Sequence, residues 1–215
     1  MSQSSLMVID PSITHPEVSS YNKISECCPL SSTYHLPIIS DINSMSRSLH
    51  NSCGIIILGS GASVNNKTEW QSILTDIIDQ ALLKDIPILG ICYGHQLLAN
   101  HLGGKVGYLW NQEKKSGVRD VKIKSNSLAR STQFFPLIYS HQEGVIECPD
   151  VFEVIASSEM VKVEGIEHKN KAIWGFQPHI EASWSFANRQ GISKNKYLEV
   201  EKYGDLIMHT FFKKL

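Results

Sequence analysis

The chain lacks most of what would mark it for a nucleic acid, a membrane or a secreted scaffold. Its charges nearly cancel, with 20 Lys and Arg against 21 Asp and Glu and a formal net charge of -1. That balance leaves no electrostatic footprint for a phosphate backbone. No apolar run approaches the roughly 18 residues that cross a membrane. The start, Met1-Ser2-Gln3-Ser4-Ser5, has neither the basic region nor the apolar stretch of a secretory leader. Cysteines number five, at irregular spacings, with Cys27 and Cys28 adjacent. An odd, scattered set argues against a disulfide framework and for reduced thiols in a cytoplasmic setting. Internal repeats and low-complexity linkers are also missing, so residues 1–215 read as one domain.

What is present is ordinary globular material, 42% hydrophobic and 19% charged. Leu6 to Asp10 reads as a first strand and Tyr34 to Ile39 as a second; the serine-rich stretch from Thr14 to Ser32 gives no clear pattern. Asp41 is placed to cap a short helix carrying Ile42, Met45 and Leu49. Gly54 to Leu58 is a buried strand. Trp70, Ile73, Leu74, Ile77, Ile78, Ala81 and Leu82 then recur at helical spacing, with Thr68 and Gln71 as a capping box. Another apolar strand, Ile86 to Ile91, follows. Strand, helix, strand with short connections predicts a three-layer, doubly wound α/β fold with a mostly parallel sheet. Past Gly103-Gly104 the pattern changes. Val118, Val121 and Ile123, then Phe134 to Tyr139, Val151 to Ala156, Val161 to Ile166 and Ala172 to Phe176 read as strands of a small antiparallel extension. A last helix is expected from about Lys196 to Phe212, weakened by Gly204.

The stretch Gly90-Ile91-Cys92-Tyr93-Gly94-His95-Gln96 carries the chemistry. Gly-x-Cys-x-Gly between a buried strand and a helix has the form of a nucleophile elbow. The turn is too tight for side chains at 90 and 94, and it sets the sulfur at a helix N-terminus, where the dipole favours a thiolate. A cysteine nucleophile needs a base and an orienter for that base. His179 and Glu181, two apart after the last predicted strand, fit those roles, because residues two apart in an extended segment share a side. Gly59-Ser60-Gly61 ends the preceding strand on the same sheet edge. A backbone N–H at Gly59, with that of Tyr93, can hold a developing oxyanion. Cys92 and His95 have metal-ligand spacing, but no Cys or His cluster completes a set, and no metal or cofactor is expected.

Gly90 to Ala99 closely resembles the nucleophile motif of class I (triad-type) glutamine amidotransferases. Gly175 to Glu181 resembles that family's C-terminal motif, Ile57 to Gly61 its oxyanion loop, and Ser140-His141-Gln142 its Ser/Asn-His segment; the four occur in the family's order. The chain departs in having Pro178-His179-Ile180-Glu181 where the family has Phe-His-Pro-Glu, no proline in the Gly59–Gly61 loop, and Asp10-Pro11-Ser12 after the first strand. The resemblance implies hydrolysis of the glutamine side-chain amide through a cysteine thioester. In that reading Cys92 is the nucleophile, His179 the base and Glu181 its orienter, while Gly61, Gln96, Ser140, His141 and Gln142 hold the glutamine. From Glu181 to Leu215 there is no room for a synthase domain, so the ammonia acceptor is expected on a separate chain. Two alternatives keep the fold: a free-standing γ-glutamyl hydrolase or peptidase, and a non-enzymatic regulatory or binding subunit.

Overall fold

The computed structural model describes residues 4–39 and 42–215. Its elements run β1 (Ser5–Ile9), α1 (Val18–Cys27), β2 (Ser32–His35), α2 (Ile42–His50), β3 (Ser52–Ile57), α3 (Glu69–Leu83), β4 (Ile88–Ile91), α4 (Tyr93–His101), β5 (Lys105–Tyr108), β6 (Lys115–Ile123), β7 (Gln133–His141), β8 (Glu143–Glu147), β9 (Phe152–Ser157), β10 (Gly165–His168), β11 (Ile173–Phe176), α5 (Trp184–Arg189) and α6 (Lys194–Phe212). Nine strands make one sheet in the order β2-β1-β3-β4-β11-β10-β9-β6-β7. The first five in that order pair in parallel; the others are joined by antiparallel ladders. β5 and β8 form a separate antiparallel ribbon.

Both faces of the parallel half are covered, so its inner strands β1, β3, β4 and β11 are largely apolar rather than alternating, while the edge strand β2 is polar. Along β1, Leu6 and Val8 join a core with Ile24 of α1 and Ile207, Met208 and Phe211 of α6. Met7 and Ile9 join the opposite core with Met45 and Leu49 of α2 and Leu74, Ile77 and Ile78 of α3. Each such burial contributes about 1.5–3 kcal/mol, so two covered faces hold strands as short as β4. Ile55–Ile57 lies beside Ile88–Gly90 in parallel register, as the sequence pattern predicts. The Thr68–Gln71 capping box is formed, and the Gln71 amide also donates to the Tyr93 hydroxyl at 3.0 Å, tying α3 to α4.

Some expectations need correction. The second strand stops at His35, because Pro37 has no N–H to give a ladder and the chain turns through Leu36–Ile39. Val161 to Ile166 is not a strand throughout. Ser158 Oγ accepts the N–H groups of Met160 and Val161, which makes a turn, and β10 starts only at Gly165. The cap at Asp41 lies outside the described residues. The unread stretch holds α1, which buries only Ser20 and Ile24 and therefore shows no stripe.

Candidate active site

The elbow forms where β4 ends. The Cys92 N–H donates to the Phe176 carbonyl at 2.8 Å, and its own carbonyl accepts the Gln96 N–H at 3.0 Å. Between these bonds Cys92 adopts φ 51°, ψ -99°, at the N-cap of α4. Such a posture costs about 1–3 kcal/mol and persists only where the surroundings over-determine it. They do so by close packing. A Cβ on Gly90 would lie 2.5 Å from the Gly94 backbone, and one on Gly94 would collide with the Ile57 carbonyl. The flanking glycines are thus required by contact, as the sequence pattern implies.

His179 and Glu181 follow β11. They meet not along an extended segment but across a turn, in which the Ala182 N–H reaches back to the His179 carbonyl. The His179 Nδ1–H donates to Glu181 Oε1 at 2.9 Å. Gly204 explains how this turn is held and why a glycine interrupts α6: a Cβ there would collide with the Ile180 carbonyl. The helix therefore packs backbone to backbone beneath the His179–Glu181 turn. The imidazole stands against Cys92. A Cβ on Gly59 would lie 2.7 Å from His179 Cε1 and 3.4 Å from Cys92 Cβ. Burial pushes the His179 imidazole down, but the Glu181 carboxylate and the Cys92 sulfur outweigh it and push it up to about 10. His179 thus holds a proton beside the sulfur at neutral pH.

A cavity of about 510 Å³ opens above this group. Gly59, Gly61, Cys92, Gln96, Ser140, His141, Gln142, His179 and Glu181 all line it, so the structure brings together the residues singled out by sequence. Tyr93 is not among the lining residues; its side chain is buried and its hydroxyl accepts from Gln71. Among the described residues the Gly59 and Tyr93 N–H groups have no hydrogen-bond acceptor. Ser140 turns its carbonyl to Cys92 Sγ at 3.9 Å and donates its hydroxyl to Gln190 Oε1 at 2.7 Å. Both ring nitrogens of His141 are engaged. Its Nδ1–H donates to the Glu143 carbonyl at 2.8 Å and its Nε2 accepts from Arg119 at 2.6 Å. Burial, then the Arg119 guanidinium, push it down to about 3. His95 is fully buried against Gly175, and burial pushes it down to about 4.

Sequence reasoning missed two neighbours of the site. Gln177 donates from Nε2 towards Cys92 Sγ at 3.6 Å and lies inside the C-terminal motif. Gln190 sits just past the short helix α5, whose six residues are too few for a legible period.

The model of the family described as Glutamine amidotransferase class-I matches residues 30–200. A glutamine-hydrolyzing GMP synthase subunit of Methanococcus maripaludis strain S2 is 33% identical over 159 residues, 74% of this chain and 72% of the relative. The protein of the same description from Methanocaldococcus jannaschii is 39% identical over 107 residues, 49% of this chain and 56% of the relative. Among solved structures, a glutamine amidotransferase of Thermotoga maritima superposes with TM-score 0.79 at 21% identity, covering 99% of this chain and 98% of that one. One from Methylobacillus flagellatus gives 0.77 at 17%, covering 100% and 96%. At those identities the likeness speaks for the fold.

Proposed function

Because the chain belongs to the class I glutamine amidotransferases, we propose that it hydrolyses the side-chain amide of glutamine with Cys92, His179 and Glu181 as its catalytic group. The proton His179 holds is the one Cys92 gives up, so Sγ attacks the amide carbon as the thiolate, and the oxyanion so formed takes up the N–H groups of Gly59 and Tyr93. His179 gives its proton to the leaving nitrogen, which departs as ammonia and leaves a thioester. Water then attacks the thioester carbon. His179 takes the water's proton, glutamate leaves, and Sγ is free again. Glu181 keeps the ring in the Nδ1–H form and offsets its charge. The observation that carries this reading is the buried His179 ring set between the Glu181 carboxylate and the Cys92 sulfur.

Arg189 Nη2 lies 2.5 and 2.6 Å from the two carboxylate oxygens of Glu17, tying the loop before α1 to α5 at the rim. The relatives named as one subunit of GMP synthase support delivery of the ammonia to a synthase on a separate chain. The five free thiols support a reducing, cytoplasmic setting. Ammonia release by the purified protein tests the reading. Wild type should release ammonia and glutamate from glutamine, faster when its synthase chain is added; Cys92→Ala should release none while keeping its circular dichroism. Full turnover in that variant would end the proposal.

A further inference from the structure

A line of buried polar groups runs from the antiparallel half to the nucleophile, and the chemistry above does not use its far end. Arg119 on β6 and Glu164 just before β10 are 7% and 0% exposed. Arg119 Nη2 donates to Glu164 Oε2 at 2.8 Å; Nε lies 2.7 Å from Oε1 but off the hydrogen-bond axis, a Coulombic contact. Ser158 Oγ donates to Glu164 Oε1 at 2.6 Å, and the guanidinium lies 4.1 Å above the Tyr139 ring. Such a pair is poor value for stability, since desolvating each ion costs several kcal/mol and an apolar pair often serves as well. Its place is better explained by what else Arg119 holds.

The same Nη2 donates to His141 Nε2 at 2.6 Å, which requires that nitrogen to be bare. The ring proton must then sit on Nδ1, where it is given to the Glu143 carbonyl at 2.8 Å. That carbonyl also accepts from Gln96 Nε2 at 2.8 Å. Gln96 Nε2 in turn donates to Gln177 Oε1 at 3.1 Å, and Gln177 Nε2 faces Cys92 Sγ. A ring with the proton on Nε2 would face the guanidinium donor with a second donor and the carbonyl with a second acceptor, breaking both bonds.

We propose that Arg119 and Glu164 are positioning residues for glutamine hydrolysis: they fix His141 as the Nδ1–H tautomer and thereby set the Ser140–Glu143 wall against Cys92. The proposal rests on the glutaminase reading above. The wall holds the body of the substrate rather than the reacting bond, so its loss should appear in KM.

The test combines ¹⁵N-imidazole NMR with glutaminase kinetics, the His141 signal being identified by its loss in His141→Gln. Wild-type His141 should be neutral, with its proton on Nδ1. The double variant Arg119→Met, Glu164→Gln removes both charges together and so leaves neither bare. There the His141 signal should become a mixture of tautomers, and KM should rise about tenfold with kcat within about twofold. If the double variant does not fold, Arg119→Lys keeps the charge on Glu164 but has one ammonium for two partners, and both readouts should move the same way. A wild-type ring protonated on Nε2, or folded variants with unchanged tautomer and KM, would overturn the proposal. A wild type that does not hydrolyse glutamine at all ends the glutaminase reading instead.

Discussion

The two halves of the sheet bring their groups to the cavity by different means. The parallel half delivers Gly59, Cys92 and His179 from the ends of neighbouring strands β3, β4 and β11, and it fixes them by backbone contact. Glycines at 90, 94 and 204 let main chains approach where a single Cβ would collide, and Gly59 leaves room for the His179 ring. The antiparallel half delivers Ser140 and His141 from the end of β7, and the β5–β8 ribbon delivers Glu143; buried side-chain hydrogen bonds from Arg119, His141 and Gln96 fix them. Contact sets position within tenths of an ångström. A polar network specifies orientation, and with it protonation, at the cost of desolvation.

The comparison breaks first at the reacting groups. His179→Ala should lower kcat by about 10,000-fold, as much as Cys92→Ala, because the two act as one unit. Glu181→Gln should lose roughly a hundredfold less, since it removes an orienter and not the proton carrier. Equal losses for the two would mean that Glu181 does more than orient the ring; they would be seen in single-turnover kcat at one pH. Gly59→Ala comes next. Its methyl would sit 2.7 Å from His179 Cε1, so the ring must move, and a displacement of about 1 Å costs about a hundredfold. An unaltered kcat there would show that contact at Gly59 does not place the base.

This difference in means also decides what the sequence discloses. Apolar runs and glycines are local signals, so the elbow, the Gly59 loop and the order β3, α3, β4 are legible in the order of residues alone. His179 and Glu181 are legible as a pair, yet the turn that joins them is not, because Gly204 acts on it from a distant helix. The Arg119–Glu164–His141 network depends on three segments meeting. One signal for it exists: Arg119 stands in phase with Val121 and Ile123 on β6, the buried phase of an alternating strand. A lone charge in that phase has to find a partner. Glu164, in a turn, announces nothing.

Gly204→Ala sharpens the contact side of the comparison at smaller scale. In an ordinary exposed helix interior this change stabilises by up to about 1 kcal/mol through propensity. Here the methyl would collide with the Ile180 carbonyl. Overpacking of that kind costs about 1–3 kcal/mol, so the sign should reverse and Tm should fall by a few degrees. A higher Tm would show that α6 can draw back and that the glycine is incidental.

The smallest effects are in pH, where His141 of the antiparallel half and His179 of the parallel half should act on opposite sides. His141, and His95 on α4, are held down to about 3 and about 4, below the ordinary value of about 6.5. For a histidine lowered in the fold, the unfolded chain binds the extra proton. The stability these two give is complete above about pH 6.5 and is lost as pH falls towards 4 and 3, by about 1 kcal/mol per pH unit for each. His179 is held up to about 10, so its contribution has the reverse sign. It is complete below about pH 6.5 and is lost as pH rises through about 10. Urea unfolding in steps from pH 4 to 10 should therefore show two limbs. His141→Gln should make the acid limb shallower, the rest remaining with His95, His35 and His168, which burial also pushes down, and should leave the alkaline limb in place. His179→Ala should make the alkaline limb shallower, the rest remaining with the thiols of Cys27, Cys28, Cys53 and Cys148, which burial pushes up, and should leave the acid limb in place. An acid limb unchanged by His141→Gln would mean that the antiparallel half does not hold its histidine neutral, and the contrast between the two halves would reduce to geometry.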